Sequence, residues 1–226
     1  MGNEELCLAD ALETEKVWEE EGVSVLIARI CLPQLGGSSR RARRFNRYYR
    51  RFCRSYLRYC EQTLLPAAAA QCRDALARSA LWAPMCVSLR YTVSRCGGGL
   101  LSLYTDAREG QGFARPVTVR RADTWDLTVG LPMPLSEFFP RHCRARRRLL
   151  DFARAEARRQ SEHGATFYPD CRIALRRALN TRNFYLGADA LHFFYPMYTV
   201  APGSEGIVVF DLPYDDEAGP FLPPQG

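Results

Sequence analysis

MCVSLRYTVSRCGGGLLSLYT, residues 85–105, decides the fold class. Met85–Arg95 alternates around Val87, Leu89, Tyr91 and Val93, the period of two that a half-buried strand requires. Cys96-Gly97-Gly98-Gly99 is a turn signal, and Leu100–Thr105 is the strand expected to pair back. A tight hairpin builds an antiparallel sheet, because parallel neighbours need a long crossover.

Upstream, Gly22–Leu32 (GVSVLIARICL) is β-branched and apolar, as a buried strand is. Pro33 and Gly36-Gly37 end it, and Ser38 or Ser39 can cap the helix that follows. In that helix Phe45, Tyr49, Phe52, Tyr56 and Tyr59 recur at spacings of 4, 3, 4 and 3, an aromatic stripe along one face. Pro66 kinks or restarts it, and an Ala-rich continuation runs to about Leu81. Residues 1–15 read as an acidic arm with weak structure, and the acidic run extends to residue 21.

Downstream, Phe113–Gly130 reads as another extended pair, and Arg141 to about His163 as a second basic helix ended by Gly164. Pro169-Asp170 starts a shorter helix through Leu179. Three strands close the chain: Phe184–Leu186, Ala190–Tyr195 and Ile207–Leu212. Helices and strands are grouped and do not strictly alternate. The expectation is therefore an α+β fold, an antiparallel β-sheet with helices packed on one face. Its extent is one domain over residues 22–214, with a Pro/Gly-rich tail over 215–226 that frays.

The chain has 226 residues, 47% hydrophobic and 25% charged, enough for a core without metal or disulfide staples. Its net charge of +6 is unevenly placed: residues 1–22 sum to −7 and the remainder to +13. Lys16 is the only lysine, so 30 of the 31 basic residues are arginine. Arginine forks suit phosphates and carboxylates, but GC-rich coding also replaces lysine with arginine throughout a chain. The nine cysteines, an odd number with no C-x-x-C, read as reduced thiols used as small hydrophobes. The N-terminus has no basic region followed by an apolar one, and no stretch approaches 18 uninterrupted apolar residues. The expected setting is cytoplasmic, with no transmembrane segment.

Tests for chemistry return no catalytic pattern. His142, His163 and His192 fall in no metal-ligand spacing, so no metal or cofactor is expected. Cys53 and Cys60 share a helix face about 10 Å apart, too far for a disulfide. Pro202-Gly203-Ser204-Glu205-Gly206 is out of register for a nucleophile elbow, and the triple glycine lacks the Lys-Ser/Thr of a phosphate loop. Asp123 and Asp126, three apart on a strand, face opposite sides. An enzyme is not expected.

Two segments carry binding readings. In the helix after Ser39, arginines occupy much of the surface left by the aromatic stripe, and no acidic residue occurs between Gly22 and Cys60. Arg43, Arg47, Arg50 and Arg54 form a candidate basic face for nucleic acid or an anionic membrane surface. In the plain structural reading they face water while the aromatics pack on the sheet, or the acidic arm folds over them. Between the last two strands, Tyr195, Tyr198, Pro202 and Glu205 are candidate ligand-binding residues of a recognition loop. The same Pro and Gly residues are also what a turn between closing strands requires.

The order of these signals resembles the C-terminal domain family of the bacterial RsiV-type anti-sigma factors, a domain of unknown function also attached to some peptidoglycan deacetylases. The matching residues are Asn46-x-Tyr48-Tyr49, the Tyr91-Thr92-Val93 strand, Thr124–Gly130 (TWDLTVG), Leu135–Phe139 (LSEFF), Asn183–Leu186 (NFYL) and Phe194–Pro202 (FYPMYTVAP) followed by Gly206. They span residues 22–214. The resemblance implies an α+β domain that binds and does not catalyse; in RsiV-type proteins it senses lysozyme. A net basic chain without a leader is expected to bind another ligand, a protein or a cell-wall-related molecule, since like charge costs both rate and specificity.

Overall fold

The computed structural model describes residues 7–112, 115–215 and 217–222. The fold is mixed α+β. A six-stranded sheet has the strand order β1-β2-β3-β4-β5-β6, formed by Leu12–Glu20, Val23–Leu32, Met85–Gly97, Leu100–Gln111, Val117–Asp126 and Leu131–Pro132. A second sheet is the meander β7-β8-β9: Phe184–Leu186, Ala190–Tyr195 and Val208–Pro213. The helices are α1 (Arg40–Tyr59), α2 (Leu65–Ala77), α3 (Ala145–Glu162) and α4 (Cys171–Ala178). The chain divides into two compact units, Met1–Tyr91 with Thr105–Thr118, and Thr92–Tyr104 with Val119–Gly226.

In the first unit β2 is buried along Val25, Leu26, Ala28, Ile30 and Leu32. It pairs antiparallel with β1 and parallel with β3, the helical connection α1–α2 supplying the crossover a parallel pair needs. Strand β1 lies within the expected loose arm. Its exposed Glu13, Glu15, Lys16 and Glu19 are what a sheet edge carries to resist pairing with other chains. The turn into β2 is Glu21-Gly22, with φ of 51° and 77°, so a glutamate holds a position that asparagine usually marks. Glu4 and Glu5 of the arm lie outside the described residues, as does Phe113.

Helix α1 is capped by Ser39, whose side chain accepts from the Ala42 N–H at 3.1 Å. The buried line is Ala42, Phe45, Tyr49, Cys53 and Tyr56. Phe52 is half-buried and Tyr59 exposed, so Cys53 takes a place expected of an aromatic residue. At Pro66 the helix restarts. A π-helical turn over Cys60–Leu64 lets the Leu65 N–H reach Cys60, and Pro66 falls in the first turn of α2, where its missing N–H costs nothing. Asn46, in the Asn-x-Tyr-Tyr segment, clamps the preceding loop: it accepts from the Leu35 N–H at 2.8 Å and donates to the Leu35 carbonyl at 2.9 Å.

In the second unit α3 and α4 share an apolar core with β7–β9, centred on Phe138, Leu149, Ala153, Phe193, Tyr195 and Phe210. The β3–β4 turn is Gly98-Gly99, both left-handed, as a two-residue hairpin demands. Ser102 joins the two sheets. Its hydroxyl accepts from the Leu186 N–H at 2.8 Å and lies 2.8 Å from the Thr124 hydroxyl, all buried. Ser102→Ala strands two buried polar groups and is expected to cost about 1–3 kcal/mol, read as a lower denaturation midpoint at constant m-value. Residues 217–222 of the expected tail are held by hydrogen bonds, among them the Phe221 N–H to the Phe138 carbonyl at 2.9 Å.

Candidate functional site

The outer face of α1 gathers the four arginines of the candidate basic face. Arg43, Arg47, Arg50 and Arg54 are all exposed. At 1.5 Å per residue they form a row about 16 Å long. All four line one hollow of about 410 Å³ with Gly37 and Asn46. A neighbouring hollow of about 330 Å³ is walled by Arg40, Arg43, Arg44 and Arg47. No carboxylate lines either.

Among the described residues, the side chains of Arg43, Arg47, Arg50 and Arg54 have no hydrogen-bonded or ion-paired partner. The nearby acids are engaged elsewhere: Glu15 with Arg29 at 3.1 Å, Glu20 with Arg73, and Glu61 with Lys16 at 2.5 Å. Glu109 accepts from the hydroxyls of Tyr56 and Tyr59 at 3.4 and 3.2 Å. The described part of the acidic arm therefore serves β2 and α2 and leaves this row uncovered.

The second set of candidates is split. Tyr195 is 0% exposed, and its hydroxyl donates to the Leu175 carbonyl at 3.1 Å. Burial pushes this phenol well above its usual range. It is a core residue tying β8 to α4 and offers a ligand no surface. Tyr198, 57% exposed, sits in the left-handed region at φ 62°, a rare place for an aromatic residue. Its ring lies over Gly203, where a Cβ would come within 2.2 Å of it. Pro202 precedes the short helical turn Gly203–Glu205, and Glu205 accepts from the Thr166 N–H at 3.2 Å. Tyr198, Pro202 and Glu205 thus share a loop, and Tyr195 lies beneath it.

Sequence reading missed one pair. His192 and Asp211 face each other across β8 and β9, with Nδ1 and Oδ1 2.6 Å apart and Tyr185 stacked on the imidazole at 4.8 Å. Only strand register brings them together, so their separation in sequence carries no signal. A hollow of about 720 Å³ between α3 and β9 holds Arg147 and Arg148 already opposite Asp151 (3.6 Å) and Asp215 (3.1 Å). Backbone N–H groups of Ala218 and Glu217, and then the Arg148 guanidinium, hold the Asp215 carboxyl below its ordinary range. Among the described residues no three His, Cys, Asp or Glu side chains form a metal-holding group. No helix among them is long and apolar enough to cross a membrane.

Residues 137–215 match the model of a family described as "Protein of unknown function (DUF3298)". The chain is similar in structure to a DUF3298 family member from Bacteroides fragilis NCTC 9343, with 17% identity, a TM-score of 0.66, and coverage of 92% of this chain and 90% of that one. It is also similar to a DUF3298 family protein from Pseudomonas aeruginosa PAO1, with 16% identity, a TM-score of 0.56, and coverage of 93% and 92%. At these identities the likeness is one of fold. No curated protein matches the chain.

Proposed function

We propose that this chain, carrying a DUF3298 match over residues 137–215, is a non-enzymatic protein-binding module that receives an acidic helix of its partner on the outer face of α1. The observation that carries this reading is the row Arg43, Arg47, Arg50 and Arg54, uncovered and without an acidic partner among the described residues. Its 4-3-4 spacing is that of one helix seam, so carboxylates at the same spacing on a partner helix meet each guanidinium, in the fork geometry that arginine favours. Helix α1 is pre-organised by its Ser39 cap, the Asn46 clamp and its buried line, which lowers the ordering cost of binding. Carboxylates are favoured over nucleic-acid bases because no aromatic side chain between Arg43 and Arg54 is fully exposed; Tyr48 and Phe52 are half-buried.

Support for the non-enzymatic part comes from the thiols and the histidine. Of the cysteines whose acidity the fold moves, Cys31, Cys53, Cys60 and Cys171 all move up, chiefly by burial, Cys60 to about 11, away from nucleophilic use. His192 is bonded to Asp211, and among the described residues no hydroxyl or thiol pairs with it. None of the nine cysteines is in a disulfide, which suits the reducing, cytoplasmic setting that this reading carries. The RsiV-type resemblance supports the same class of role, a receptor for a protein. The ligand differs, since a basic protein such as lysozyme is not what an arginine row receives.

The test uses fluorescence anisotropy with a helical peptide bearing glutamates at 4-3-4 spacing, a scrambled peptide of equal composition, a 20-base-pair DNA and anionic vesicles. The ordered peptide is expected to bind at least about tenfold tighter than the scrambled one, a difference near 1.4 kcal/mol. Equal binding of both peptides, or tighter binding of DNA or vesicles, overturns the reading.

A further inference from the structure

A smaller hollow lies between α3 and α4, entirely within the second unit, and its chemistry differs from both sites above. Its volume is about 360 Å³, within the range of small-molecule sites. Arg154 and Arg158 from α3 and Arg172 from α4 line it, and no carboxylate does. The floor is apolar, with Ala157, Phe167 and Leu175, and Tyr168 adds a phenol to the wall.

Two of the three cations are not neutralised as Arg147 and Arg148 in the larger hollow are. Arg158 and Arg172 have no hydrogen-bonded or ion-paired partner among the described residues. The Nε of Arg154 is buried and makes no hydrogen bond, although one of its terminal nitrogens lies 3.4 Å from Asp151. Like charges around one cavity repel, and a bound anion relieves this.

The walls are fixed independently of any ligand. Arg146 on α3 donates to the Leu179 carbonyl at 2.7 Å and the Arg176 carbonyl at 3.2 Å, pinning the C-terminal end of α4. The Tyr195 hydroxyl holds Leu175 of α4 from the core side, and the Tyr168 N–H is bonded to the Val200 carbonyl at 3.1 Å. The hollow is therefore pre-formed, which is how a small site avoids the ordering cost of binding.

We infer that the α3–α4 hollow is a binding site for a small organic dianion, a phosphomonoester or dicarboxylate on an apolar body, with Arg154, Arg158 and Arg172 taking the acid group. The apolar floor excludes a bare inorganic ion as the best ligand. The exposed guanidinium groups of Arg158 and Arg172 take the charge of the acid group, and Arg154 adds to the positive field.

The test is isothermal titration of the full chain with phenyl phosphate, isophthalate, inorganic phosphate and neutral benzyl alcohol. Phenyl phosphate or isophthalate is expected to bind one to one with a Kd of about 1 mM or tighter, and the tighter of the two names the acid group. Inorganic phosphate is expected to bind more weakly and benzyl alcohol not at all. Arg158→Gln with Arg172→Gln, both exposed positions, should weaken binding by about tenfold or more with the melting temperature unchanged. Arg43→Gln with Arg47→Gln on α1 should leave the titration as in the wild type. Absence of binding by both probes, binding unchanged in the α3–α4 variant, or loss in the α1 variant overturns the inference.

Discussion

The variant carrying Arg43→Glu, Arg47→Glu, Arg50→Glu and Arg54→Glu loses the ordered acidic peptide by about a thousandfold, corresponding to four exposed pairs of about 1 kcal/mol each. It melts where the wild type melts. The two halves of this expectation have separate physical causes. The binding loss follows because each guanidinium is replaced by the sign that repels the partner carboxylate. Stability is kept because the four side chains are exposed and, among the described residues, hold no partner in the folded chain. Glutamate and arginine have nearly the same helix propensity, and new glutamates on α1 gain arginine neighbours such as Arg40, Arg44, Arg51 and Arg58 one turn away. The check pairs anisotropy with thermal unfolding. A large fall in melting temperature would mean that the row stabilises the fold. Unchanged peptide binding would mean that the peptide sits elsewhere.

Tyr195→Ala destabilises the chain by about 3–5 kcal/mol, while Tyr198→Ala, three residues on, stays within about 0.5 kcal/mol. The contrast follows from burial. Tyr195 packs against Phe193 and Phe210, with ring centroids 6.4 and 5.8 Å apart, and its hydroxyl is spent on the Leu175 carbonyl. Truncation opens a cavity in the core and leaves that carbonyl unpaired. Tyr198 is exposed at left-handed φ, so little packing is lost when its ring goes. Denaturant unfolding of the two variants separates them. Similar small losses would return Tyr195 to the recognition loop, against the packing described here.

The legible parts of this fold are those whose signal is local. The alternation in Met85–Arg95, the glycine pair that turns it, the three closing strands and the helix after Ser39 are each written within a few residues of themselves. Strand β1 was not legible, because an acidic stretch whose turn is Glu21-Gly22 lacks both the apolar alternation and the usual turn residues. The parallel pairing of β2 with β3 depends on a partner distant in sequence, where register carries no local mark. The arginine row could be read from spacing alone. Its freedom from the acidic residues of β1 could not, since that depends on where Glu15 and Glu20 find their arginines. Likewise Tyr195 resembles its loop neighbours in sequence and differs only in what the core does with it.

The measurement that bears most directly on the arginine row is a charge-swap cycle. The quadruple glutamate variant is titrated with a helical peptide carrying arginine at the same 4-3-4 positions, at the ionic strength used for the wild type and the acidic peptide. Binding restored to within about tenfold of the wild-type pair is the predicted result, because the seam geometry is kept and only the signs are exchanged. Binding that stays lost, or that recovers equally well with a scrambled arginine peptide, would contradict a helix seated along α1.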